Sequence, residues 1–232
     1  LVGSEMCIRD RNSNYNSFSR LEGPEKDIRM MKSSLTGYKV SNVIHKKNMT
    51  KADLEKFFSI ELRDLLKSNK VNSVMIWYAG HGKMINDVGY WIPVDAKLDE
   101  EISYFNLGSL RSYLQNYAQV VHMLVVTDAC ESGETFISAR RDSPSTCDDW
   151  EKTKFKSAQV VTSAGFELAS DNSQFATVFS GSLTNNPEPC IAIDKVYKKI
   201  ESAFEISGKQ KPKFGVIKNV PDDAGSFFFI KK

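Results

Sequence analysis

Two side chains in this sequence sit where covalent chemistry could be done, Cys130 and His81. Each closes an apolar run that gives way to small residues. Val74 to Tyr78 (VMIWY) leads into Ala79-Gly80-His81-Gly82, and Met123 to Thr127 (MLVVT) leads into Asp128-Ala129-Cys130-Glu131-Ser132-Gly133. A thiol near its ordinary pKa is mostly protonated at neutral pH, and its thiolate is the nucleophile. A neighbouring imidazole can take the thiol proton and later give a proton to a leaving amine. The adjoining glycines let a substrate approach the backbone and leave amide N–H groups to receive an oxyanion. A lone cysteine is most often a small buried hydrophobe, and a lone histidine at a strand end is most often structural. Two such strand ends separated by 49 residues (130 − 81) form a rarer combination. Of the other histidines, His45 falls in a Lys-rich stretch (IHKKN) and His122 starts the strand that ends near Cys130, so neither is well placed.

The elements needed to bring these two strand ends together are legible as an alternation of helices and strands, the pattern of an α/β fold with a mainly parallel sheet. Pro24 suits a first helical position, with Ile28, Met31 and Leu35 on one face and Gly37 at the end. Lys39 to Ile44 reads as a short strand. Thr50 and Asp53 have the spacing of a capping box for a helix whose apolar face is Leu54, Phe57, Phe58, Leu62 and Leu65. The runs at 74–78 and 123–126 read as strands buried on both faces. Leu110, Tyr113, Leu114 and Tyr117 mark a helix between them. A strand at 159–162, helices carrying Phe175, Val178, Phe179 and Val196, Tyr197, Ile200, Phe204, and a last strand at 227–230 complete the reading. In open α/β sheets, sites form at the carboxyl ends of strands, which is where both motifs fall.

Composition excludes several classes. The 232 residues carry 31 basic and 29 acidic side chains, a formal net charge of +2, so no whole-chain basic field argues for nucleic acid or membrane partners. No apolar run approaches the ~20 residues that span a bilayer. The four cysteines (Cys7, Cys130, Cys147, Cys190) show no CxxC pairing, which argues against zinc and against a disulfide framework and makes a reducing compartment the default. There is no GxSxG elbow, Walker A loop or GxGxxG turn. Leu1 to about Arg11 (LVGSEMCIRDR) resembles a translated sequencing adapter, has no signal-peptide character, and is set aside together with Cys7.

From about Asn12 to Lys232 the sequence resembles the caspase-like cysteine peptidases, in particular the bacterial caspase-family, metacaspase and paracaspase branch. The landmarks are LEGPEKDIRMM, WYAGHG followed by GYWIPVDA, VVTDACESG, VVTSAGFELASD and KPKFGVIK. The spacing of about 50 residues from His to Cys is also the caspase spacing. The resemblance implies the caspase-like (caspase-hemoglobinase) fold, a mainly parallel six-stranded sheet with helices on both faces. It implies a cysteine endopeptidase that forms an acyl-enzyme through a Cys130/His81 dyad, with the Gly82 and Cys130 amides as the oxyanion hole. A caspase-fold pseudoenzyme or signalling module is the alternative; it predicts loss of His or Cys, and both are present. Protein or peptide substrates are the expected partners, with no nucleic acid, no membrane and a cytoplasmic location.

One departure redirects the specificity. Caspases carry Gln-Ala-Cys-x-Gly, whereas Asp128 stands two before Cys130 here. In metacaspases and paracaspases an aspartate there lines the primary pocket, which implies cleavage after Arg or Lys, and a carboxylate in a partly dry pocket favours a cation. Asp27 matches a paracaspase pocket aspartate, and reads equally well as a helix first-turn acid. Glu167 or Asp171 could complete the pocket, with Asp171 preferred. The segment 138–154 is polar, contains Pro144 and reads as an exposed linker between a large part (12–137) and a small part (155–232), the family's division of the domain 12–232. Its Arg140-Arg141 pair suits the basic specificity as a self-cleavage site, though it also reads as an ordinary charged loop. No cofactor is expected. Some metacaspases need calcium, but Asp148, Asp149 and Asp171 lack EF-hand spacing, and no metal is expected. The family's first, central strand belongs before Asn14, where residues 1–11 stand, so a missing or replaced core strand and low stability are expected.

Overall fold

The computed structural model describes residues 4–11, 14–21, 23–129, 137–139, 146–147, 153–163, 173–207 and 212–232. In chain order the elements are β1 (Ser4–Arg11), α1 (Gly23–Leu35), β2 (Asn42–Lys47), α2 (Lys51–Lys56), a π-helical turn (Phe57–Glu61), α3 (Leu62–Ser68), β3 (Val71–Ala79), β4 (Gly82–Ile85), β5 (Val88–Trp91), β6 (Phe105–Asn106), α4 (Leu107–Gln115), β7 (His122–Asp128), β8 (Ile137–Ala139), β9 (Ser157–Thr162), α5 (Gln174–Thr184), β10 (Cys190–Ala192), α6 (Ile193–Ser207), β11 (Lys213–Ile217) and β12 (Phe228–Ile230). The main sheet has the order β2-β1-β3-β7-β9-β11-β8. The first five strands run parallel, and β11 is antiparallel to both β9 and β8. The six strands expected are thus joined by a seventh, β8, on the β11 edge.

The central strands β3, β7 and β9 are buried on both faces, and the period of two sorts their residues into two cores. Val74, Ile76, Tyr78 and Val125 face a cluster with Leu54, Phe58, Leu62 and Leu110. Met75, Trp77, Ala79, Leu124 and Val126 face the opposite cluster, with Met31, Leu35, Phe175, Phe179, Val196 and Ile200. So α1, α5 and α6 cover one face, and α2, α3 and α4 cover the other. Thr50 and Asp53 form the expected capping box. The apolar stripe that follows ends on Leu66 rather than the expected Leu65, because the π turn at Phe57–Glu61 adds a residue and rotates the later positions.

Three expectations need correction. Ser4–Arg11 fills the central strand position, paired with β2 on one side and β3 on the other. Of the two expectations, a missing or a replaced strand, the position is thus filled rather than vacant, and the low stability expected from a vacant position has no basis in this sheet. Backbone pairing asks little of side-chain identity, which is how a segment with no family signature can occupy the slot. Second, Cys147 and Cys190 form a disulfide across 43 residues of sequence. The spacing of cysteines does not encode pairing; β10 carries Cys190 to Cys147 only in the folded chain. The disulfide also removes the support that cysteine usage gave to a reducing compartment. Third, the segment read as an exposed loop from residue 138 begins inside the sheet, since Ser138 and Ala139 belong to β8. The last strand forms as expected at Phe228–Ile230, but in a separate two-stranded sheet with β10.

Candidate active site

Strand order sets the place of the site. From β1 the chain goes to β2 on one side, then crosses to β3 on the other, so the crossovers diverge between β1 and β3. Crevices form outside the carboxyl ends of strands at such a switch point. Residues 14–20 follow β1 and Gly80–Gly82 follow β3, and these two loops meet. The imidazole of His81 lies against Tyr15 (ring centroids 4.6 Å) and Phe18 (5.8 Å).

The histidine is held from several sides. Its backbone N–H donates to the Tyr15 hydroxyl (2.8 Å), and its carbonyl accepts from the Tyr78 hydroxyl (3.0 Å), which also bonds the Ile92 carbonyl (3.2 Å). Nε2 lies 2.9 Å from the Ser19 carbonyl. A carbonyl only accepts, so Nε2 carries the hydrogen and, in the neutral ring, Nδ1 is left as the basic nitrogen. Burial pulls the His81 pKa below its usual value, against the Ser19 carbonyl, which raises it. The ring is therefore neutral at pH 7, the state a base requires. Gly80 is required by space: a Cβ there would lie 2.7 Å from the Tyr15 Oη and 2.8 Å from the Tyr78 Oη.

The second strand end is hydrogen-bonded to the first. Ala79 is in register with Asp128, and the Gly80 N–H donates to the Asp128 carbonyl at 3.3 Å. Trp91 buttresses both, stacked on Tyr78 at 4.2 Å while its Nε1–H donates to Thr127 Oγ1 at 3.0 Å. His81 follows Ala79 by two residues and Cys130 follows Asp128 by two, on adjacent parallel strands. Cys130 itself lies outside the described residues, as do Glu167, Asp171, Arg140, Arg141, Asp148 and Asp149. Gly82 opens β4 opposite Trp91. His122 is the first residue of β7, at the far end from the site, as expected; it bonds Ser157 and the Thr153 carbonyl.

Two of the expected pocket acids come together. The helices α1 and α5 run parallel: the Ser180 hydroxyl donates to the Met30 carbonyl (3.3 Å), and the Tyr38 hydroxyl, past the end of α1, donates to the carbonyl of Leu183 near the end of α5 (2.7 Å). Both helices therefore start at the carboxyl edge of the sheet. Asp27, one turn before Met30, is buried at 3% exposure, and among the described residues its Oδ1 has no hydrogen-bond partner. Its pKa is pushed up to about 7, by burial first and then by the charge of Asp128, against Lys26. Asp128 is half-buried, and its Oδ2 accepts from the Ser173 hydroxyl at 2.7 Å. Burial raises the Asp128 pKa, opposed by the hydroxyls of Ser173 and Ser163. Ser173 also caps α5, accepting from the Ala176 N–H at 3.0 Å.

Sequence reasoning missed the supports of both halves: Tyr15, Phe18 and Ser19 around the imidazole, Tyr78 and Trp91 beneath it, and Ser163 and Ser173 on Asp128. Signals existed only for some. A serine just before the apolar-periodic 175–183 stretch marks an N-cap, and YNSFS is an aromatic, polar loop following the first strand. That Ser19 acts through its carbonyl leaves no signature in residue type. Among the described residues no cluster of three His, Cys, Asp or Glu could hold a metal ion, and no helix is long and apolar enough to cross a membrane.

A clamped neutral imidazole thus stands at the switch point of a mainly parallel α/β sheet, on the strand next to the one that precedes Cys130 in sequence. The caspase-domain family model matches residues 11–219, and the chain belongs to that family of cysteine peptidases. No curated protein matches the chain.

Proposed function

We propose that the protein is a cysteine endopeptidase that cleaves after Arg or Lys. The observation that carries this reading is the joining of the two strand ends, Gly80 N–H to Asp128 carbonyl at 3.3 Å, with His81 and Cys130 each close behind. His81 Nδ1 takes the Cys130 proton, and the thiolate attacks the scissile carbonyl. The oxyanion is received by the Gly82 and Cys130 amides. The imidazolium then gives its proton to the leaving amine, and water, deprotonated by the same nitrogen, releases the acyl group. Asp128 and Asp27 supply the negative pocket for the cationic side chain, with Asp171, or else Glu167, as its third acid.

The test uses peptide amides ending in Arg, Lys and Asp, with the intact protein and Cys130→Ala. Cleavage of the Arg and Lys substrates that vanishes in Cys130→Ala is expected. Activity surviving the substitution sinks the dyad, and cleavage of Asp but not Arg substrates sinks the pocket assignment alone.

A further inference from the structure

Asp27 is a costly group where it stands. A carboxylate that is 3% exposed, with one oxygen lacking any hydrogen-bond partner, is poorly solvated as an anion. The charge of a second acid, Asp128, which is hydrogen-bonded to Ser173 at the start of the helix packed on α1, adds to that cost. Two carboxylates sharing such a site do not both ionise at ordinary pH. The two differ in what supports their charge. Asp128 accepts from Ser173, which also caps α5, so the positive end of that helix dipole favours an anion at Asp128. Burial pushes the Asp128 carboxyl up as well, but the hydroxyls of Ser173 and Ser163 oppose it, whereas among the described residues Asp27 Oδ1 has no such donor. The proton therefore belongs on Asp27.

We propose that the Asp27–Asp128 pair holds one proton and releases it when a cationic side chain binds, so that substrate uptake is coupled to proton release. The proposal rests on the reading of this pocket as the basic specificity site. An arriving guanidinium or ammonium supplies the charge partner Asp27 lacks; its carboxyl O–H bond breaks heterolytically, the electron pair stays on Asp27, and the proton passes to solvent. No other bond changes. A pocket of this kind rejects neutral side chains twice over: they neither pair with Asp128 nor free Asp27 of its proton.

The surroundings bear on where the proton sits. Among the described residues the charged groups acting on Asp27 are Asp128 from β7 and Lys26 from its own helix. The helix packed on α1, α5 (QFATVFSGSLT), has no titratable side chain. β1, which also packs against α1, carries Glu5, Arg9, Asp10 and Arg11 in its sequence. The pKa of about 7 for Asp27 agrees with the geometric argument and sets the pH range of the coupling.

Isothermal calorimetry on Cys130→Ala, which binds a peptide without cutting it, decides the matter. An end-blocked peptide with arginine at the cleavage position is titrated at pH 6 in buffers of different ionisation enthalpy, and the dependence of the heat on buffer counts protons. Release of roughly one proton per arginine peptide is expected at pH 6, falling toward zero at pH 8.5. Affinity should rise about tenfold per pH unit below pH 6.5. The second substitution Asp27→Asn should abolish both the release and the slope. Arginine binding at pH 6 with no proton released overturns the proposal while leaving the basic specificity intact. A citrulline peptide, neutral and of the same shape, that binds as tightly as the arginine one overturns the specificity reading and the proposal with it. The pH series needs no pocket substitution, so the outcome does not depend on how Asp27→Asn folds.

Discussion

Substituting Gly80 by Ala should damage the site far more than one methyl group suggests. The new Cβ would stand 2.7 Å from the Tyr15 hydroxyl and 2.8 Å from the Tyr78 hydroxyl. An overlap with the tip of a free side chain is cheap, but Tyr78 is completely buried. Both hydroxyls are committed to the segment that carries His81, Tyr15 to the His81 N–H and Tyr78 to the carbonyls of His81 and Ile92. Retreat by several tenths of an ångström lengthens three hydrogen bonds. At about 1 kcal/mol net each, that is a loss of roughly 2–3 kcal/mol of stability. The greater effect falls on chemistry, because His81 is positioned by those bonds, and a misplacement near 1 Å costs about a hundredfold in rate. Denaturant unfolding measures the first, and kcat/KM on an arginine peptide amide measures the second. Removing the Tyr15 hydroxyl relieves half of the clash while losing its bond, so Gly80→Ala with Tyr15→Phe should be less than additive. Wild-type stability and turnover within about twofold in Gly80→Ala would refute the clamp.

Three further outcomes are expected. Asp27 has a folded pKa of about 7 against an ordinary 3.8, so the native state binds more protons than the unfolded one between those values. Its contribution to stability is therefore lost as pH rises through this window, and a rise of that size is worth on the order of 4 kcal/mol above pH 7. Asp27→Asn should thus gain stability over the wild type as pH goes from 5 to 8 in chemical denaturation, whereas a difference that does not change with pH contradicts the buried acid. The Cys147–Cys190 disulfide spans 43 residues, for which chain entropy sets a stabilisation of about 4 kcal/mol as an upper figure. Cys147→Ser should lower the unfolding midpoint without reductant, dithiothreitol should lower the wild type to match, and a midpoint indifferent to both contradicts the pairing. Incubated under active conditions, the purified protein should give fragments that meet at Arg140-Arg141, absent in Cys130→Ala; a single intact band rules out self-processing.

The reach of the sequence can be judged residue by residue. His81 and Cys130 stood out because chemistry requires those residue types, and because each follows an apolar run of the length and composition expected of a parallel strand covered on both faces. Periodicity likewise found α1, α5 and α6, since a helix facing a core must repeat near 3.6 residues. The pattern failed where a local event shifts the phase. The π turn at Phe57–Glu61 moved the buried position from Leu65 to Leu66, and β11 and β8 are too short to show a period.

What the sequence determined by itself was the family and the two strand ends that lead to His81 and Cys130, since both reside in residue identities close together along the chain. Tertiary structure alone decided the rest, because it depends on groups distant in sequence that only folding brings together. The Ser19 carbonyl fixes which imidazole nitrogen is basic, a role any residue's backbone could fill. Cys147 finds Cys190 through the placement of β10. Asp27 could be read from sequence as a helix-start acid or as a pocket acid; only the fold shows it buried, and burial, rather than residue type, raises its pKa to about 7.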